Sequence, residues 1–484
     1  MSIKRRDFLK LGTAVAAASS LPAAHLPLAA QAAAPATPGP PADITLTIAP
    51  VAVQLAPSRI VSTIGYNGTA PGPVLRMKEG VPVTVDVINQ TDTPEQVHWH
   101  GQFLPADVDG SEEEGTPFIP PHGRRRMHFT PKPAGTRWYH THTMAMENLY
   151  TSTYTGQFGF VMIEGPSNPF QSGHFDQELF LALRDWEPFF STQLVDTDDL
   201  NPSTPQPEKP AVLDTRPDGW EIGAEIYSIN DKALGAGEPI RVRPGERLLL
   251  HILNASAIEI RYLSLPGHRF QIIALDGNPV PTPAAVEVLQ IGPAERIDCY
   301  VEMNHPGVWI LGEPTDIIRN AGLGVIVEYA GQRQSPVFTP PANPRWDYTV
   351  FERPGAPVPA PDNVINMAFE MTPRGQGMMN TFTVNGKSYP HDREFMLKPG
   401  ARHRLIFHNR TADSHPLHLH RHTFELTEIY GKSTRGILKD TVVIPVYGRI
   451  AADFTADQPG PSLFHCHIQM HMDYGFKALL RNEG

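Results

Sequence analysis

The sequence predicts an all-β chain of three tandem Greek-key β-sandwich domains. Two observations carry this. Gly (39) and Pro (50) make up about 18% of the 484 residues, a composition of many short strands and turns with little room for long helices. A single unit also recurs three times. Val74–Gly80 leads into Val81–Asn89, Ile240–Gly245 into Glu246–Asn254, and Phe395–Gly400 into Ala401–Asn409. Each copy reads as a strand, a Gly turn, an alternating strand and an Asn, with Gly and Asn nine residues apart every time. Alternation between turn residues implies an antiparallel sheet buried on one face, and three tandem copies imply three related sandwiches.

The elements follow in order. Residues 1–34 start with Lys4, Arg5 and Arg6, continue in an Ala-rich apolar run and end in small residues around Ala30-Gln31-Ala32. That is an export signal, and the Arg5-Arg6 pair is of the twin-arginine type. A periplasmic or secreted protein without a membrane anchor is expected, since no later stretch approaches ~18 apolar residues. The three domains are expected at 43–165, 174–334 and 346–484. Gly165–Gly173 and the Pro-rich Ser335–Arg345 separate them, and Asp196–Trp220 reads as a long polar loop inside the second. The net charge of −11, about −14 without the basic N-terminus, argues against nucleic acid or an anionic membrane as partner. Two cysteines, Cys299 and Cys466, exclude a disulfide scaffold and a four-cysteine zinc site. Cys299 alternates into a strand and reads as a buried thiol.

Histidine placement carries the function. Nine and eleven residues beyond the shared Asn lie His98 and His100 in the first copy, His418 and His420 in the third, and Leu263 and Leu265 in the second. Five and seven residues after a later Gly lie His140 and His142, then His465 and His467, with Gly312 and Pro314 in the second copy. With 21 His in the chain, a His-x-His pair arises about once by chance; four pairs at matching offsets do not. Residues i and i+2 of a strand share a face, so domains one and three together can surround one pocket with eight imidazoles. That density suits copper, zinc, iron or nickel, and more than one ion.

Cys466, between His465 and His467, must point to the opposite face. His471 lies close by, and His415 precedes His418 by three. One thiolate and two imidazoles form the trigonal set of a blue copper centre. Ten residues after the cysteine, where such a centre usually has an axial Met, stands Phe476. Phe cannot ligate copper, which predicts a high reduction potential.

His98-Trp-His-Gly101, Trp138-Tyr-His-Thr-His142, His415-Pro-Leu-His-Leu-His420 and His465-Cys-His-x3-His471 resemble the four copper motifs of the three-domain multicopper oxidases, which include laccases. The resemblance spans residues 43–481 and implies the cupredoxin fold and four coppers. Type 1 copper would be held by His415, Cys466 and His471. Type 2 copper would use His98 and His418, and the type 3 pair His100, His140, His142, His420, His465 and His467. Asp109 matches the family's acid near the cluster and is expected to donate protons. Two departures stand out, at Arg421 and at Met472-Asp473. Arg421 replaces a Gly common in the family and should alter interdomain packing. Met472 and Asp473 follow the last ligand, where some members have an acid at once. His422 should support the ligands from behind.

The resemblance implies an enzyme, a laccase-like donor:oxygen oxidoreductase that oxidises phenols or aromatic amines one electron at a time and reduces O2 to water. Cys466 and His471 would take up the electrons. The alternative is a periplasmic cuprous oxidase acting on Cu(I) in copper tolerance, for which Met367, Met371, Met378 and Met379 form a sparse cluster, and Met144 and Met146 add little. A copper-free, non-catalytic scaffold should have lost ligands, and none is missing.

Overall fold

The computed structural model describes residues 40–166, 173–191, 220–342, 346–355, 357–374, 378–390 and 394–484. The export signal, the insert up to residue 219, and parts of both interdomain spacers lie outside them. Among the described residues no helix is long and apolar enough to cross a membrane.

Six sheets form three face-to-face pairs. In the first sandwich, strands Arg59–Tyr66, Ile44–Ala56, Val83–Asn89 and Arg124–Phe129 oppose Leu75–Lys78, Phe158–Glu164, Gly135–His140 and His98–His100. The second and third sandwiches each pair a six-stranded with a five-stranded sheet. Helices are single turns: Ala106–Asp109, Asp316–Asn320 and Gln469–Asp473.

The repeated unit is real, with two corrections. Its two strands enter opposite sheets, so the Gly turn crosses the sandwich, and each strand has a parallel neighbour: Leu75–Lys78 beside Phe158–Glu164, Val83–Asn89 beside Ile44–Ala56. Alternation also holds unevenly. Arg402–Asn409 alternates at every residue, whereas Arg247–Asn254 is buried almost throughout. The second sandwich packs on both others, Leu249 against Met162 of the first and Ile260 in one cluster with Val443 of the third.

The repeated Asn is a structural clamp. Asn89 donates to the carbonyls of Thr93, Ile119 and Pro120 and accepts from Thr91. Asn409 donates to Asp413 and Pro445 and accepts from Thr411. Asn254 likewise ties Glu259, Ile291 and Ser256. A buried amide that uses both its ends fixes the loop leading into the next strand, the strand that carries histidines in the first and third copies.

Candidate metal centre

Matching strand pairs deliver the histidines. His98 lies opposite His140 in the first sandwich, and His418 opposite His465 in the third. The equivalent second-sandwich pair is Ser264 opposite Gly312, with Leu263 and Leu265 buried beside it. The two histidine sets meet ring on ring: His98 stacks on His420 at 4.0 Å between centroids, and His100 on His418 at 3.7 Å. All eight rings are buried.

Gly101, after the first pair, has φ 80°, and a Cβ there would lie 2.5 Å from Asp440 Oδ2. Only glycine admits the carboxylate so close.

Hydrogen bonds turn one nitrogen of most rings outward. Nδ1 of His98, His140, His418 and His465 meets the carbonyls of Asp109, Thr141, Asp440 and Cys466 at 2.7–2.9 Å. His100 is reversed: Nε2 meets Asp440 Oδ1 at 3.0 Å, leaving Nδ1 facing inward. The inward nitrogens of His98, His100, His140, His142, His418 and His467 have no hydrogen-bond partner. Orphaned buried polar atoms are costly, and so many aimed at one space fit a metal site. His420 Nε2 and His465 Nε2 face each other at 3.0 Å although each Nδ1 is engaged outward, by Asp109 Oδ2 at 2.8 Å and by Cys466 O. Two lone pairs so placed call for a cation between them. Burial first, then neighbouring imidazoles, pushes His100, His140, His142, His418 and His465 well below the usual histidine range, and His420 down to about 4. Neutral imidazole is the metal-binding form. Ligating atoms group as His98–His100–His418, His100–His140–His467 and His142–His420–His465, each within 4.8 Å.

The other face of the same strand carries a further group. Cys466 Sγ lies 3.7 Å from His415 Nδ1 and 3.6 Å from His471 Nδ1, which are 3.1 Å apart. Thr411 Oγ1, held by the Asn409 clamp, lies 2.7 Å from His415 Nε2. Burial raises the Cys466 thiol strongly, so a thiolate there needs a bound cation. Phe476 packs against His415 at 4.9 Å between rings.

Phe382, Glu221, Glu114 and Asp440 escaped the sequence reading; Asp109 and His422 did not. Phe382 covers His471 at 4.1 Å between rings. Glu221, from the second sandwich, brings Oε2 to 3.8 Å from His471 Nε2, and burial pushes its carboxyl up to about 8. Behind the eight-histidine pocket, Asp109 Oδ2 lies 3.0 Å from His98 Nδ1 and 2.8 Å from His420 Nδ1. Burial works to raise the Asp109 carboxyl, but these imidazoles hold it well below the usual range. Burial first, and then the neighbouring Asp109 charge, raises the Glu114 carboxyl well above the usual range. Asp440 sits among Arg296, Arg137 and Thr441. His422 Nδ1 lies 3.0 Å from the His420 carbonyl. Glu112-Glu113-Glu114 could have signalled a site, but an acidic run more often marks a solvated loop.

Glu95 makes a pH prediction. It accepts from Gln157 and from Thr141, the residue between His140 and His142. Burial pushes it up to about 7 from 4.5, against those hydrogen bonds. The folded state therefore holds this proton more tightly than the unfolded one. Stability from the group is full below about pH 4.5, falls as pH rises toward 7, and is level above. Glu95→Gln should raise thermal stability at pH 8 by about 1–3 kcal/mol and leave it unchanged near pH 4.5, measured by calorimetry at both values.

Three sandwiches with a cysteine–imidazole group on one face of a strand and an imidazole-lined pocket on the other fit a protein that holds several metal ions. The comparisons agree. Models described as multicopper oxidase match residues 48–168, 135–320 and 359–483. The chain is 31% identical to multicopper oxidase MmcO of Mycobacterium tuberculosis (strain ATCC 25618 / H37Rv), over 98% of this chain and 96% of that protein. It is 28% identical to copper resistance protein A of Pseudomonas syringae pv. tomato, over 57% and 48%. Among solved structures, the laccase from Botrytis aclada superposes with TM-score 0.72 at 20% identity, covering 90% and 87% of the two chains. Fet3p, titled a multicopper oxidase that functions in iron import, superposes at 0.69 and 20%, covering 91% and 90%. These likenesses place the sandwiches in the cupredoxin fold. The chain belongs to the multicopper oxidase family.

Proposed function

We propose that the protein is a laccase-like oxidase. It takes single electrons from phenols or aromatic amines at His415, Cys466 and His471, and uses four of them to reduce O2 to water in the eight-histidine pocket. The ligand division is the one the motifs imply: His98 and His418 for a type 2 ion, and His100, His140 and His467 with His142, His420 and His465 for a type 3 pair. Copper bound at these residues would supply the one-electron redox chemistry. The single observation behind the coupling is His465-Cys466-His467: one strand end feeds both sites, and the Cys466 carbonyl also meets His465 Nδ1 at 2.8 Å. Phe382 and Phe476 cover His471 and His415, and Glu221 Oε2, 3.8 Å from His471 Nε2, stands beside the imidazole edge at which the reductant would give up its electron. Asp109, bridging His98 and His420, is the proposed acid–base residue for protons delivered to oxygen. The domain limits 43–165, 174–334 and 346–484, and export of the chain through the twin-arginine machinery to the periplasm or beyond, belong to the same proposal.

Cuprous oxidation is the second reading, supported by the likeness to a copper resistance protein and by Met144 and Met146. Both are exposed beside the His471 helix, where the Met146 amide donates to Asp473 at 2.8 Å. Of the four clustered methionines, however, Met367 and Met379 are buried in the core. Oxygen uptake with a phenol and with Cu(I), side by side, tests the choice. A phenol rate independent of added copper supports the laccase reading, and a rate that vanishes without added copper overturns it in favour of the cuprous oxidase.

A further inference from the structure

Arg421 stands where the family pattern often has glycine, and its backbone keeps the glycine-like conformation, φ 62°. A side chain in that left-handed region is strained, so its contacts must hold it there. Arg421 is 1% exposed. Nε donates to the Leu104 carbonyl at 2.8 Å. One terminal nitrogen donates to the Pro461 carbonyl at 2.5 Å and to Ser462 Oγ at 3.4 Å, and the other to the Pro459 carbonyl at 2.7 Å. Among the described residues no carboxylate pairs with it within 4.0 Å; its partners are neutral oxygens from two sandwiches.

Those oxygens open the segments that carry the pocket. Leu104 precedes the turn Ala106–Asp109, whose last residue holds His98 and His420 from behind. Pro459 and Pro461 bracket the start of strand Gly460–Cys466, which delivers His465. Arg421 itself follows His420. We infer that Arg421 is a positioning residue, a staple that sets the register of the first sandwich against the third and so fixes the mutual placement of Asp109, His420 and His465. The planar fork is what does this, because it reaches three directions at once. The inference rests on the reading of the eight-histidine pocket as the copper cluster.

Two variants test it. Arg421→Lys keeps the charge but cannot span both sandwiches, and Arg421→Gly suits the backbone and folds without strain. The readout is copper lost from the loaded protein to a chelator, with the blue absorbance as internal reference and electron paramagnetic resonance reporting the cluster. Both variants should lose cluster copper ~10–100-fold more readily than wild type with the blue site intact. Retention at the wild-type rate, or parallel loss of blue and cluster copper, overturns the staple. A wild-type protein that binds no more than one copper defeats the proposed function instead, which separates the two failures.

Discussion

Replacing Cys466 by Ser removes the blue colour and the oxidase turnover together, while the eight-histidine pocket still binds copper. Cys466 supplies the sulfur in a group whose other members are His415 Nδ1 and His471 Nδ1, and a serine hydroxyl would offer a copper ion neither a soft anion nor the electronic character of a copper–thiolate bond. The substitution changes one buried atom, so the strand and its flanking histidines stay in place. Oxygen uptake with a phenol should fall to background, with the cluster copper of the purified variant unchanged. Turnover near the wild-type rate would show that electrons reach the pocket by a path other than His465-Cys466-His467.

Asp440→Asn should have a large structural effect. Asp440 is fully buried and accepts from Arg296 at 2.7 and 2.6 Å, from His100 Nε2 at 3.0 Å and from Thr441 at 3.0 Å. Its backbone carbonyl meets His418 Nδ1 at 2.8 Å. Arg296 comes from the second sandwich, His100 from the first and Asp440 from the third, so one carboxylate joins all three. Neutralising it leaves a buried guanidinium short of its charge partner, a loss of about 3–5 kcal/mol. Asparagine keeps one oxygen that can accept from His100 Nε2, but its NH2 group meets an Arg296 donor where the second carboxylate oxygen accepted, which disturbs the support behind His100. The expected result is a lower thermal midpoint together with weaker cluster copper retention, the blue band being preserved at low temperature. Unchanged stability would mean that Asp276, 3.8 Å from Arg296, suffices to balance the cation.

The convergence of the histidines was legible because strand geometry imposes spacing. Two imidazoles on one strand face need i and i+2, and the repeat supplied an internal ruler that set His98 and His100 beside His418 and His420. The Gly-to-Asn unit was legible for the same reason, since Asn89, Asn254 and Asn409 perform one job three times. Parallel pairing and burial on both faces of Arg247–Asn254 were not, because they depend on what lies outside the segment. The supporting carboxylates were hidden more deeply. Glu95, Glu114, Glu221 and Asp440 sit in loops or at strand ends with no periodic signature, and each meets its histidine or threonine only through tertiary packing. Arg421 was visible as a departure, but its partners Leu104 and Pro461 contribute backbone oxygens, which no side-chain pattern announces.

The proposed oxidase requires the first and third sandwiches to enclose metal jointly. Copper per chain, counted by native mass spectrometry on the wild type and on the paired variant His98→Ala/His418→Ala, tests this most directly. The prediction is about four coppers in the wild type and fewer in the paired variant, lost from the cluster while the blue site stays filled. A wild type holding a single blue copper, or a paired variant with its full complement, would contradict it.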